Sequence, residues 1–538
     1  MGIRATKYFD KAGFCLMSRS DGNKRKKNRS GNANVIKIIV AIVLVLALAG
    51  YAVYSTGAIP RILNGVTVTK TMSDGSKKVV GKTSVLETNF HFSGIFNQYY
   101  YYGQVTKETL DNVKDETTGE TWRNFLIDTT AEQIENQILI LDQAKTNGFE
   151  ELSQAKRCAE LQSETLSSTA KTNGYPSVSA YLSAAYGTGM SLRLYKDYLA
   201  KEIMTEEYEN YLTQFEMIPS NEDVKKANEE NPDQYQMADF DFYFFSAETD
   251  ENGKAKNLDE VEKQAQKVVD VAKDPTTFMQ AVISVLKDRG EDSYAEALKS
   301  GEDTTHHDGM TSSYLSSLNA QITEYLFKAE NIGKATVIKT DTGAYAVYLD
   351  KLYQDMTPTV SYRTLTLNVN TKDNASEEDI SKAVADTEAK ANTLLGTTRL
   401  TNLDFYKLVK ANSDVTDEIL DGGFVANGVL KDFIPEEDAE AEEGEDAESS
   451  EKSKDLAKEA AGTWLFDSAR QEGDTYVSVS DDKKTVTIYF FIDNIPGWAY
   501  SARSSLATDT YNKWKKDLQE TDTPNYVINA GWVKNFAY

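Results

Sequence analysis

The sequence predicts an α+β chain composed of a membrane anchor, a helical domain and two copies of a mixed strand–helix unit. Three observations carry that prediction. An uncharged apolar run lies near the N-terminus, helical periodicity dominates residues 84–235, and an order of strand and helix patterns then occurs twice. At 538 residues the chain exceeds one ordinary domain. Two cysteines, Cys15 and Cys158, exclude a disulfide framework and a Cys-rich metal site. Three histidines, His91, His306 and His307, leave little material for histidine chemistry, and no cofactor motif is present. A net charge of −26 excludes a nucleic-acid partner, which needs a basic surface to displace counterions.

The charge is unevenly placed. Residues 1–37 hold ten bases and two acids, a net of +8, which leaves −34 for the remainder. Between the two parts, residues 35–56 form an apolar run with no charge from Ile38 to Tyr54. As a helix this run spans a hydrocarbon core of about 30 Å. The basic tail 1–34 keeps the N-terminus in the cytoplasm, and the rest lies outside a single-pass cell membrane. Ala47-Leu48-Ala49 also fits a signal-peptidase site. Tyr51 stands where a lipobox would need cysteine, which rules out a thioether lipid.

Residues 57–83 are expected to be a linker with short strands at Gly65–Thr69 and Lys78–Gly81. The helical domain, 84–235, holds one helix rich in Phe90, Phe92, Ile95, Phe96 and Tyr99–Tyr102. A second runs Trp122–Thr146 and ends at Asn147-Gly148, a left-handed cap signal. A third covers about Leu152–Thr172, followed by Ser177–Tyr186, Ser191–Phe215 and a short capped helix from Ser220. Cys158, in the third, reads as a small buried apolar residue.

The period then changes. Asp239–Phe245 is an aromatic strand, Leu258–Lys273 and Phe278–Leu286 are helices, and a polar loop containing His306-His307-Asp308 leads to Ile322–Phe327. Ala335–Lys339 and Ala344–Leu349 complete the first unit, 236–355. The second unit, 358–498, repeats the order with strand Tyr362–Val369, helices Glu377–Leu395 and Phe405–Asp414, then Trp464–Phe466, Gly473–Val477 and Lys484–Ile492. Both read as β-α-α-α-β-β. The segment 434–455 inside the second unit has ten acids between Glu436 and Glu451 and is expected to be a disordered, solvated loop. The last segment, 499–538, carries an apolar stripe of Ala507, Tyr511, Trp514 and Leu518 on a C-terminal helix, followed by a strand.

Phe405–Asp414, Gly422-Gly423-Phe424, Asn427–Phe433, Leu465-Phe466 and Glu472-Gly473-Asp474 resemble, in order, the landmarks of parvulin-type peptidyl-prolyl isomerases (rotamases). Phe278, Leu326-Phe327, Gly333 and Thr342–Tyr348 resemble them in the first unit. Gly174–Leu182 and Asn231–Tyr235 look like the N-terminal peptide-binding domain of SurA/PrsA-type extracytoplasmic foldases. The resemblance covers about 80–538. It implies a helical SurA-like domain closed by the C-terminal helix, two parvulin-like modules, and unfolded or nascent secreted proteins as partners outside a bacterial, Gram-positive-type membrane. Active parvulins carry a histidine in the first strand and another in the closing strand. Phe242 and Tyr345 occupy those places in the first module, and Thr364 with Val486 or Thr487 in the second. The departure points to binding rather than catalysis, with no catalytic residue, metal or cofactor assigned. Phe242, Phe244, Phe327 and Tyr345 are the residues expected to grip extended peptides.

Overall fold

The structure is a computed structural model that describes residues 43, 45, 56–251, 254–315, 319–372, 374–434 and 455–536. The chain divides into two units, Met1–Ile59 and Pro60–Tyr538. The expected basic tail, nearly all of the anchor 35–56 and nearly all of the acidic segment 434–455 lie outside the described residues. Among the described residues no helix is long and apolar enough to cross a membrane. The remainder is a mixed α+β structure of helices and small antiparallel sheets.

The N-terminal body begins with β1 (Asn64–Thr71) and β2 (Lys77–Ser84), joined antiparallel. Ser84 caps α1 (Val85–Tyr101) by accepting from the Glu87 N–H. A small hairpin, β3 (Val113–Asp115) and β4 (Glu120–Thr121), leads into α2 (Trp122–Thr146). Gly148, at φ +72°, supplies the left-handed turn after it. The single helix expected over Leu152–Thr172 is two, α3 (Ala155–Ser163) and α4 (Leu166–Thr172). There follow α5 (Val178–Tyr186), α6 (Leu192–Tyr211), extended by one π turn through Glu216, and α7 (Asn221–Glu230) with a Ser220–Asp223 capping box.

The first module comprises β5 (Gln236–Ser246), α8 (Leu258–Val269), α9 (Pro275–Asp288), α10 (Asp292–Ser300), β6 (His306–Thr311), α11 (Ser312–Leu315), α12 (Ala320–Leu326), β7 (Lys334–Lys339) and β8 (Gly343–Gln354). The second comprises β9 (Pro358–Asn368), α13 (Glu377–Leu395), α14 (Asn402–Asn412), α15 (Thr416–Asp421), β10 (Phe424–Gly428), α16 (Leu456–Leu465), β11 (Thr475–Val479) and β12 (Thr485–Pro496). Beyond the expected β-α-α-α-β-β each unit thus has a further strand, and the first has two further short helices, α10 and α11, and the second one, α15. The sheets have the same order, β6-β5-β8-β7 and β10-β9-β12-β11. The central strands have equal lengths, 11 and 12 residues, in both copies. Each central pair carries a bulge at the same place, beside Phe240↔Leu349 and beside Tyr362↔Phe491. This common register sets Phe242 against Thr364, Tyr345 against Thr487, and Asp241 against Arg363.

The chain then returns to its beginning. On α17 (Gly497–Glu520), Tyr511, Trp514 and Leu518 pack on the cluster of Ile140, Phe149 and Tyr208. Trp514 Nε1 donates to Gln143 Oε1 at 2.9 Å, and Tyr511 OH donates to Glu209 Oε1 at 2.6 Å. β13 (Asn525–Ile528) adds to the edge of β1. Val533 of α18 (Ala530–Phe536) fills the core beside Phe92 and Leu126.

The second module is seated on the helical body through buried charge. Glu207 of α6 is 0 % exposed and Lys410 of α14 is 2 % exposed. Lys410 Nζ donates to Glu207 Oε1 at 2.5 Å and to the Ile419 carbonyl. Ser153 Oγ and the Gln154 N–H donate to the same carboxylate. Arg157 Nη2 donates to the Ser413 carbonyl at 2.6 Å. Burial pushes the adjacent Cys158 thiol up to about 11, which leaves it an inert core residue. The seam should be brittle to the loss of one partner. Glu207→Gln leaves the Lys410 ammonium buried without a counter-charge and is expected to cost about 3–5 kcal/mol in denaturant unfolding. Glu207→Leu combined with Lys410→Met should restore most of that. A Glu207→Gln cost within about 0.5 kcal/mol, the range of an ordinary surface substitution, would refute the assignment.

Candidate functional site

Successive side chains of β5 and β8 point to opposite faces of the first module's sheet. One face, with Phe245, Ala344, Ala346 and Tyr348, is sealed by Val261, Val268, Phe278 and Val282 from α8 and α9. The other face is covered only in part. Leu315, Ile322 and Leu326 from α11 and α12 close over Ala238, Phe240, Val347 and Leu349. Beyond that cover, Phe242, Phe244 and Tyr345 remain half-buried. Their ring centres lie close together, 6.0 Å for Phe242–Tyr345 and 4.5 Å for Phe244–Tyr345. Glycine at 343 is required here, because a Cβ would meet the Phe245 carbonyl oxygen at 2.3 Å and the Phe244 ring at 2.6 Å. Phe327, the fourth residue expected from the sequence, is 6 % exposed and packs in the core below.

The histidine pair lies elsewhere than expected. His306 and His307 belong to β6, an edge strand paired to β5, and not to a polar loop. The His307 ring stands 4.9 Å from Phe242 and 5.4 Å from Phe240, at the margin of the aromatic face. Beside it runs a polar chain. Thr305 Oγ1 donates to the buried Asp241 carboxylate at 2.8 Å, and His306 Nδ1 meets its second oxygen at 2.9 Å. His306 Nε2 meets Asp308 Oδ1 at 2.8 Å. Two carboxylate partners at once suit the imidazolium, which donates from both nitrogens. Burial opposes that charge, yet Asp241 and then Asp308 outweigh it, so the His306 pKa is raised. The His307 pKa is lowered, chiefly by burial. Among the described residues no cluster of three or more His, Cys, Asp or Glu could hold a metal ion.

The second module differs at each of these positions. Thr364, Thr366 and Thr487 stand where the first has Phe242, Phe244 and Tyr345. Its aromatic surface is displaced toward Trp464, Tyr476 and Tyr489, and the Arg470 guanidinium sits 5.2 Å over Trp464.

Two clefts lie apart from the sheet face. One of about 860 Å³ opens between β2, α2, α3 and α6, with Ile138, Leu141 and Met204 among its apolar residues and Lys145 and the Glu87–Lys201 ion pair among its charges. The other, about 590 Å³, lies along the seam between the helical body, the second module and α17. It includes Ile218, Phe424, Ile492, Tyr500 and Asp421, whose carboxyl is pushed up to about 6 by burial.

Sequence reasoning found the aromatics by their alternation. It missed Asp241 and placed His306 and His307 in a loop, although two acids inside an aromatic strand (Asp239 and Asp241) were a signal, since acids buried there need donors. No protein-family model matches the chain, and no curated protein matches it.

The adjacent histidines should titrate apart, His306 above about 6.5 and His307 below it, in an NMR titration of the ring signals. The folded state holds the His306 proton more tightly than the unfolded chain does. Its stabilisation is therefore complete below about pH 6.5 and is lost as pH rises through the folded-state pKa. Coincident midpoints would contradict the Asp241–His306–Asp308 chain.

Proposed function

We propose that the chain is a membrane-anchored extracytoplasmic folding factor that holds unfolded exported proteins through degenerate parvulin-like modules on a SurA/PrsA-type scaffold. The carrying observation is the partly covered aromatic face of Phe242, Phe244 and Tyr345 in the first module. A holdase must bind many sequences weakly. Half-buried rings on a rigid sheet offer apolar area without demanding one side-chain pattern. The duplicated sheet and the helical body with its 860 Å³ cleft add to this reading, since both supply surface for an extended chain. The basic tail would sit in the cytoplasm and the acidic bulk outside the membrane.

One observation favours a second reading, an isomerase with an atypical site. His307 touches Phe242, the position of the family's first histidine, beside a carboxylate–imidazole chain. Twisting a prolyl amide means lowering a barrier of about 18–20 kcal/mol, and donors beside the amide can contribute.

Two assays separate the readings. The full chain in a lipid nanodisc, at equimolar ratio, should suppress light scattering by a denatured client several-fold, and Phe244→Ser with Tyr345→Ser should remove most of that. Unchanged scattering with the intact chain sinks the holdase reading. A protease-coupled prolyl assay should show no acceleration; acceleration that disappears in His307→Ala would establish the isomerase instead.

A further inference from the structure

We infer that the first module's aromatic face selects extended segments in which basic residues are interspersed with apolar ones. This rests on reading that face as the client site and names the class of segment it takes. The first observation concerns the rings themselves. An aromatic face carries negative electrostatic potential and attracts ammonium and guanidinium groups. At several rings elsewhere the chain places its own cations over the face. Arg470 lies over Trp464, Lys114 lies 3.9 Å over Phe125, and Arg363 lies 5.0–5.3 Å from Phe215, Phe424 and Tyr406. Among the described residues, no lysine or arginine lies over Phe242, Phe244 or Tyr345.

The second observation is the charge around the face. Three of the lysines on the neighbouring elements are committed to acids away from the rings, and Lys334 stands four residues along β7 from Ile338, the strand neighbour of Tyr345. Lys339 bridges Asp259 and Glu262, Lys351 reaches Asp239, and Lys328 pairs with Glu324. The carboxylates of Asp303 and Asp308 both act on His307 at the margin of the face. Asp341 lies in the turn between β7 and β8, two residues before Gly343. His306, at the margin of the face, is bracketed by Asp241 and Asp308. The net charge of −26 adds a long-range field of the same sign, which draws in cationic segments and repels acidic ones. The second module lacks the ring trio at this register, having Thr364, Thr366 and Thr487 instead, so the selectivity belongs to the first module.

The test uses the full chain in nanodiscs of zwitterionic lipid and fluorescence anisotropy with three peptides. They share one apolar and aromatic content and differ only in carrying several arginines, serines or glutamates. The arginine peptide should bind about tenfold more tightly than the glutamate peptide at low salt. That ratio should shrink several-fold between about 0.01 M and about 1 M salt. Phe244→Leu with Tyr345→Leu keeps apolar area but removes the rings. It should abolish the preference for arginine over serine, read as the ratio of the two affinities within that variant. Tyr345→Phe, which keeps the ring, should preserve the preference and guards against a folding defect. Asp308→Asn should weaken the preference. Equal binding of the arginine and serine peptides overturns this inference and leaves the holdase reading standing. Binding of none of the three overturns both. A preference that survives the double leucine variant assigns it to overall charge and overturns the role of this face.

Discussion

Arg363 is the constraint on which the arrangement of the second module depends. It sits in the central strand of that module's sheet with its side chain fully buried. Its guanidinium has five N–H donors and cannot be left dry without acceptors. Asn402 Oδ1 takes Nε at 2.6 Å, and the Gly422 carbonyl takes Nη1 at 3.0 Å. The module does not supply a sufficient set alone, so Gln214 of the helical body contributes its Oε1 at 2.9 Å and Phe215 contributes a ring face. Among the described residues Nη2 finds no hydrogen-bond partner. Together with Glu207–Lys410 this makes the seam specific in orientation. A hydrophobic seam tolerates sliding, whereas buried charges that each need a particular partner do not.

The first module is tied to the rest in a different way. Gln354 Nε2 donates to Asn228 Oδ1 at 2.7 Å, and the chain leaves through backbone bonds from Trp498 to Asp355 and from Gly497 to Thr357. Gly497 permits this last approach, since a Cβ there would meet the Asp355 carboxylate at 2.1 Å. One fold has thus been put to two uses. One copy spends its polar core residues on docking. The other keeps them internal and leaves part of its sheet face uncovered.

Much of this was legible in the sequence where a local rule decides the outcome. Ser84, Thr121, Ser220 and Ser376 cap helices because a short side-chain oxygen meets an orphan N–H, whatever the tertiary context. The alternation of Phe240, Phe242 and Phe244 marks one sheet face for the same kind of reason. Illegible were features decided by distant partners. β6 and β10 are short edge strands, and β6 in particular is built from His, Asp and Gly with poor intrinsic strand preference. They are strands only because β5 and β9 offer them a ladder. Periodicity likewise could not separate Phe327 from Phe244. The position of α11 and α12 decides which aromatic is core and which is face.

The two copies also reveal what a single residue can decide. Asp241 and Arg363 occupy the same register, each beside the edge strand of its sheet, opposite His306 in one copy and Phe424 in the other. A buried carboxylate has few sites to fill and accepts from Thr305 and His306 within its own module. No outside group is then required, and the edge is protected by polar His306 and Asp308 and by the bulge at Gly309, whose φ is +65°. A buried guanidinium has more donors than nearby acceptors and recruits Gln214 of the neighbouring domain, while its own face lies 5.1 Å from the Phe424 ring. At this one register position, then, the first copy satisfies its buried charge within the module and the second draws on Gln214 of the helical body.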